Sequence, residues 1–287
     1  MSALHDLVLG ALQGLTEFLP VSSSGHLVLA PYFLRWQEPG LELTVALHLG
    51  TLLAVVAFFR REIVAVFATA IRPAAEPIAQ EEQSNSAKLE TRNSKLETRN
   101  LKPGGIGPAT LWMIILGTVP AGAMGVALHK DFERLFETPL GVAGFLVVTA
   151  ALLFLAEGLG ASKRSTADMR WWQALVIGFA QGCAIAPGLS RSGATISAGL
   201  LLGFERTQAT KFAFLLSIPA ILGAAIVEFP KGAGFSLAWL PGIAVSALFG
   251  YLAIQWVLAA VRKARLRYFA VYCLLVAAAV VAYHFAR

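Results

Sequence analysis

The chain has 287 residues, of which 57% are hydrophobic and only 14% charged, with a net charge of +6 and a mean hydropathy of +0.68. A soluble domain carries about 25% charged residues, so this composition excludes an ordinary soluble enzyme and points to one integral membrane domain. The positive balance is not the footprint of a nucleic-acid binder, because Lys and Arg fall in a few short loops, as cytoplasmic membrane loops require.

In chain order, Met1 to Leu19 is apolar with helical patterning, and Pro20 and the serines behind it stop it short. His26 to Leu34 is a second short apolar piece. Neither reaches the roughly 20 residues a bilayer crossing needs, so together they predict a re-entrant helix-loop-helix. Leu43 to Phe59 is the first full span, ended by Arg60, Arg61 and Glu62. Residues 76–102 form an insertion in which Lys88-Leu-Glu-Thr-Arg-Asn-Ser94 is followed by a near copy, Lys95 to Leu101. One leucine per repeat makes no coiled-coil seam, so this insertion reads as disordered and without a catalytic role. Ala109 to Leu128, with Pro120 inside it, and Leu140 to Ala156 are the second and third spans. Trp171 to Ala186 and Ala194 to Phe204 repeat the broken pair, and Phe212 to Val227, Leu237 to Val261 and Tyr268 to Ala286 are spans four to six. Cys183 and Cys273 lack metal-type spacing and read as small buried hydrophobes. The N-terminus shows no basic n-region, so no signal peptide is expected.

The two breaks carry the chemistry. The first is Gln13-Gly14-Leu15-Thr16-Glu17-Phe18-Leu19-Pro20-Val21-Ser22-Ser23-Ser24-Gly25-His26. The second runs from Gln181 through Pro187-Gly188-Leu189-Ser190-Arg191-Ser192-Gly193-Ala194-Thr195. When Gln13 is laid on Gln181, Gly14 meets Gly182, Ser22 meets Ser190, Ser24 meets Ser192 and Gly25 meets Gly193. Each half is a re-entrant pair plus three spans. Three is odd, so the halves run in opposite senses. The expected fold is all-α: six transmembrane helices plus two re-entrant helix-loop-helix pairs in an inverted-topology repeat, with halves of about 1–160 and 171–287. Such folds place polar sites near the midplane, where broken helices meet.

Placing the insertion in the cytoplasm brings Ser162 to Arg170, Glu205 to Lys211 and Arg262 to Arg267 to the same side. Only Arg35, Lys130, Arg134, Lys231 and Arg287 lie opposite, which sets the orientation.

Ser22 to Gly25 and Ser190 to Gly193 each open a helix, whose unpaired N–H groups and positive dipole end suit an anion. Arg191 adds a fork of donors matched to phosphate oxygens. Glu17, one turn after Gln13, must be protonated, paired or metal-bound if buried. It suits Mg²⁺ or Ca²⁺, with Gln13 lending a carbonyl oxygen; a structural pair with Arg191, compatible with catalysis, is the alternative. Some of the serines only cap. One of the three in the first run suits a nucleophile, with His26 as proton acceptor. Thr195 suits phosphate or back-bonding to its own helix. His48 stands alone in a span and reads as structural.

These motifs resemble those of the undecaprenyl-diphosphate phosphatases of the bacitracin-resistance type. Gln13-x-x-x-Glu17 is similar to that family's (Glu/Gln)-x-x-x-Glu element, and Pro187 to Thr195 to its Pro-Gly-x-Ser-Arg-Ser-x-x-Thr element. The resemblance extends over Gly117-Thr-Val-Pro-Ala121 and Phe214-Leu-Leu-Ser-Ile-Pro219. It implies removal of the terminal phosphate of undecaprenyl diphosphate, giving the monophosphate carrier of cell-wall glycans, with a divalent cation as cofactor. It matches Glu17 to the essential acid, Ser23 to the proposed nucleophile, His26 to the catalytic histidine, and Ser190, Arg191 and Thr195 to phosphate handling. Joined to the reading of the residues themselves, the expected site has Glu17, Ser23, His26 and Arg191 catalytic, Ser22, Ser24, Ser190, Ser192 and Thr195 substrate-binding, and Glu17 and Gln13 as metal ligands. The implied setting is the bacterial inner membrane, with the site opening to the periplasmic side. The implied partners are the lipid substrate and membrane lipid, with room for a homodimer. The alternative is a transporter or flippase of a lipid phosphate, an architecture that inverted repeats also serve.

Overall fold

A computed structural model describes residues 3–71, 108–127, 138–159, 163–228 and 235–286. The insertion at 76–102 lies outside the described residues. The elements are α1 (Ala3–Phe18), α2 (Ser23–Leu34), α3 (Leu41–Phe58), α4 (Arg60–Ile71), α5 (Pro108–Ala127), α6 (Pro139–Leu159), α7 (Trp171–Cys183), α8 (Arg191–Leu201), α9 (Arg206–Glu228), α10 (Leu240–Arg262) and α11 (Leu266–Phe285). Among the described residues, six helices are long and apolar enough to cross a membrane: α3, α5, α6, α9, α10 and α11. The described residues are thus built of helices, six of them suited to spanning a membrane, as in a multi-pass membrane protein. α1 and α2 have 16 and 12 residues and α7 and α8 have 13 and 11. All four fall short of the roughly 20 residues of a span.

Three boundaries differ from the sequence expectation, each for a local reason. Helix α8 starts at Arg191, not at Ala194, because the Ser190 hydroxyl accepts the Gly193 N–H (3.0 Å) and caps the helix there. Helix α9 starts at Arg206, ahead of Phe212, because the Glu205 carboxylate accepts the N–H groups of Thr207 and Gln208, both at 2.9 Å. Arg60, Arg61 and Glu62 do not end helical structure. They open α4, and Lys211 on α9 donates to Glu62 at 3.1 Å.

Two helix crossings are built alike, and both rely on small residues. Gly10 and Gly14 of α1 press on Gly242, Ser246 and Gly250 of α10. Gly178 and Gly182 of α7 press on Gly117, Ala121 and Met124 of α5. Without a hydrophobic drive between helices in lipid, such small-xxx-small seams let backbones approach and gain dispersion contacts. A Cβ on Gly178 would overlap the Gly117 carbonyl oxygen, which is backbone and cannot swing away. Gly178→Val is therefore expected to destabilise the fold by at least the ~1–3 kcal/mol of an overpacked core. Thermal melting in detergent checks this, and a wild-type melting temperature would mean that α5 and α7 do not cross there.

The core beneath the breaks is aromatic. Phe214 of α9 stands edge-on to Phe18 (centroids 5.2 Å apart) and tilted against Phe59 (6.3 Å). Phe18 is 1% exposed. Because it is the neighbour of Glu17, this packing sets where that carboxylate can sit.

Candidate active site at two helix breaks

Pro20 stops α1, and the chain turns through Leu19–Ser22 before Ser23 starts α2. Backbone groups at such a turn must find partners at membrane depth. The Leu19 carbonyl accepts from the Ser192 hydroxyl (2.9 Å). The Pro20 carbonyl accepts weakly from the Cys273 thiol (3.8 Å), so Cys273 does more than fill space. The Ser22 carbonyl accepts from His26 twice, through its backbone N–H (3.2 Å) and its ring Nδ1 (2.6 Å). Ser22 itself has φ 72°, ψ 98°, a left-handed backbone that costs a non-glycine residue about 1–3 kcal/mol.

The second break is tied to the first. The Gly188 N–H donates to the Ser22 hydroxyl oxygen at 3.1 Å. Gly188 has φ +94°, and a Cβ there would strike the Val142 carbonyl, so this position needs glycine. The Gly188 carbonyl accepts from the Thr149 hydroxyl of α6, whose oxygen in turn accepts the Ser190 N–H, both at 3.0 Å.

Across this junction sits a nearly buried ionic cluster. Glu17 is 5% exposed. Its Oε1 pairs with the Arg191 guanidinium. Its Oε2 accepts from the Ser23 hydroxyl and from Gln13 Nε2 at 2.9 Å. Arg191 also reaches the Ser217 carbonyl at 3.5 Å. The pairing of Glu17 with Arg191, the alternative reading of that carboxylate, is present, and it joins the two breaks directly. The guanidinium is fixed and the carboxylate oriented, so an anion entering here meets a positive group already in place.

The remaining expected residues divide by role. Ser22 caps α2 by accepting the Gly25 N–H (3.2 Å), as Ser190 caps α8. Both hydroxyl oxygens accept backbone N–H groups, the capping role expected of some of these serines. Ser24 lies 3.3 Å from the Ser22 hydroxyl, and Ser192 lies 3.2 Å from Ser190. Thr195 donates to the Arg191 carbonyl at 2.8 Å, which is back-bonding within its own helix. His26 is not on a serine hydroxyl. Its Nδ1 meets the Ser22 carbonyl and its Nε2 meets the Tyr272 hydroxyl at 2.7 Å. The hydrogen-bond acceptor of Ser23 is Glu17, where His26 was expected.

Sequence reasoning missed three side chains. His48, read as structural, projects from α3 so that Nε2 stands 3.6 Å from Glu17 Oε2, while its Nδ1 donates to the Thr44 carbonyl (2.8 Å). Thr149 holds the second break and Tyr272 holds His26. A lone histidine, threonine or tyrosine in an apolar span carries no spacing signal that would have singled it out.

The comparisons with known proteins agree along the whole chain. The family model of the bacitracin resistance protein BacA matches residues 6–279. The chain is similar to an undecaprenyl-diphosphatase of Moorella thermoacetica, 37% identical over 290 residues covering 100% of both chains. It is similar to one of Geobacter metallireducens, 39% identical over 294 residues covering 99% of both. It is also similar to one of Methanosphaera stadtmanae, 37% identical over 282 residues covering 96% of both. Matches of this extent and identity make the chain a member of the bacitracin resistance protein BacA family.

Proposed function

We propose that this protein is an integral membrane phosphatase that removes the terminal phosphate of undecaprenyl diphosphate, returning undecaprenyl phosphate to cell-wall glycan synthesis. The observation that carries the mechanism is Glu17, held by Arg191 from the second break while it accepts the hydroxyl proton of Ser23 from the first. The long apolar tail stays in lipid and the diphosphate enters the polar junction. Ser23 Oγ attacks the terminal phosphorus as its proton passes to Glu17. The bond from that phosphorus to the bridging oxygen breaks, and undecaprenyl phosphate leaves. Water then attacks the phosphoserine, the proton held by Glu17 returns to Ser23 Oγ as the bond from phosphorus to that oxygen breaks, and inorganic phosphate leaves. Arg191 neutralises charge on the transferring phosphoryl group, the main requirement of such a transfer. The Ser24 hydroxyl, which meets the Ser22 hydroxyl at 3.3 Å, can turn its proton to the phosphate, while Ser192 gives its proton to the Leu19 carbonyl. Ser22, Ser190 and Thr195 shape the backbone around them.

The donors present fit a hard divalent cation, Mg²⁺ or Ca²⁺. Gln13 Oε1 is buried with no hydrogen-bond partner among the described residues, and beside it lies the Glu17 carboxylate. Those two oxygens would hold the ion, with phosphate oxygens completing its shell. When bound, it supplies Lewis-acid polarisation of the phosphoryl group.

The architecture we propose is an inverted-topology repeat with two re-entrant pairs, α1–α2 and α7–α8, in halves of about 1–160 and 171–287. It is supported by the matched seams, α1 on α10 and α7 on α5, and by the matched serine caps of α2 and α8. The loop bias of Lys and Arg supports a cytoplasmic insertion, and the family supports residence in the inner membrane, with the site open to the periplasmic side.

Purified wild-type protein in detergent, given undecaprenyl diphosphate with Mg²⁺ or Ca²⁺, is expected to release inorganic phosphate, and Ser23→Ala to release essentially none. Undiminished release by Ser23→Ala would move the attack to water. No release by wild type would make lipid-phosphate transport the better account.

A further inference from the structure

Building on that activity, we infer that Tyr272 is a positioning residue of the reaction: through His26 it holds the first break in the shape that keeps Ser23 against Glu17. The chain of contacts is short. The Tyr272 hydroxyl is 2.7 Å from His26 Nε2, and the two rings lie parallel, 7° apart, with centroids separated by 5.7 Å. His26 Nδ1 is 2.6 Å from the Ser22 carbonyl. A carbonyl only accepts, so Nδ1 carries the proton. In the neutral ring Nε2 is then an acceptor, and the Tyr272 O–H donates to it. Both ring nitrogens are thereby engaged, and His26 has no lone pair left for a serine.

What the pair secures is the least comfortable residue of the break. Ser22 has positive φ and is not glycine. Its conformation turns its carbonyl to His26 while its hydroxyl receives the N–H groups of Gly25 and Gly188. Releasing the imidazole leaves the Ser22 carbonyl only its helical bond from the His26 backbone N–H (3.2 Å), and relaxation of that backbone moves the next residue, Ser23, off Glu17. The neighbour of Tyr272 acts on the same turn, since Cys273 meets the Pro20 carbonyl. Helix α11 thus braces the first break at two successive positions, as Thr149 of α6 braces the second. Tyr272 touches no reacting atom in this scheme. Its ring is exposed on the outside of the bundle, and only its hydroxyl reaches inward.

Tyr272→Phe keeps the ring and deletes the hydroxyl. It is expected to lower kcat by about ten- to thirty-fold, the range for orphaning one buried hydrogen-bonding group, with KM for undecaprenyl diphosphate within about twofold of wild type. His26→Asn retains a donor for the Ser22 carbonyl but nothing for Tyr272 to hold. Adding Tyr272→Phe to it is expected to change kcat by less than about twofold, the non-additivity of residues that act as one unit. A kcat within twofold of wild type for Tyr272→Phe alone, a loss confined to KM, or full additivity with His26→Asn would overturn the inference. Nitrogen-15 spectra of histidine-labelled wild-type protein test it without any variant activity. The His26 resonances, identified by their loss in His26→Asn, are expected to show a neutral ring protonated at Nδ1 with a hydrogen-bonded Nε2. A ring protonated only at Nε2 would overturn it. Because wild-type turnover is measured in the same assay, failure of the phosphatase activity itself is distinguishable from failure of the Tyr272 assignment.

Discussion

Glu17→Gln is expected to lower phosphate release by about 10³-fold, within the range for loss of a general base, without changing the length or packing of the side chain. An amide placed where the carboxylate stands can turn its oxygen towards Arg191, and its NH₂ then faces Ser23. The serine then loses the acceptor that takes its proton. The same change leaves the Arg191 guanidinium, whose side chain is 19% exposed, without its counter-charge. Breaking a buried pair from one side costs about 3–5 kcal/mol, so the melting temperature falls along with kcat. Rates and melting curves measured on one preparation check both parts. A Glu17→Gln protein with wild-type turnover would remove the carboxylate from the chemistry.

Arg191→Ala is the complementary case and is expected to be the more disruptive. It removes the positive group from the junction, a loss worth about 10³- to 10⁵-fold where an arginine stabilises a transferring phosphoryl group. It also strands a carboxylate that is only 3% exposed. Because each partner neutralises the other inside the protein, either single variant is expected to melt below wild type. Combining Arg191→Ala with Glu17→Gln removes both charges, so the double variant is expected to regain most of the lost melting temperature while remaining inactive. Stability and turnover that recovered together would mean that Arg191 only neutralises Glu17.

Much of this site was legible before any coordinates, and the reason is physical. Glu17 and Arg191 are ionisable groups inside apolar sequence, where an unpaired charge is too costly to keep without purpose. The prolines and serines of the two breaks mark interrupted helices by backbone chemistry alone. What could not be read is how the hydroxyls share the work. Ser22 and Ser23 are neighbours of the same type, yet one caps a helix and receives Gly188 while the other faces Glu17. The difference arises from the left-handed backbone at Ser22, which no local propensity announces. His48, Thr149 and Tyr272 stayed hidden for another reason: each reaches the site from a separate span, and only packing brings them there. Helix α4 was missed because its opening charges imitate the end of a span.

The most direct measurement is an experimental structure of the protein with orthovanadate, a phosphoryl-transfer mimic. The account predicts vanadium within about 3.5 Å of Ser23 Oγ, with its equatorial oxygens on the Arg191 guanidinium and both helix breaks in contact with the anion. Vanadate bound elsewhere, or held by one break with the other turned away, would contradict it.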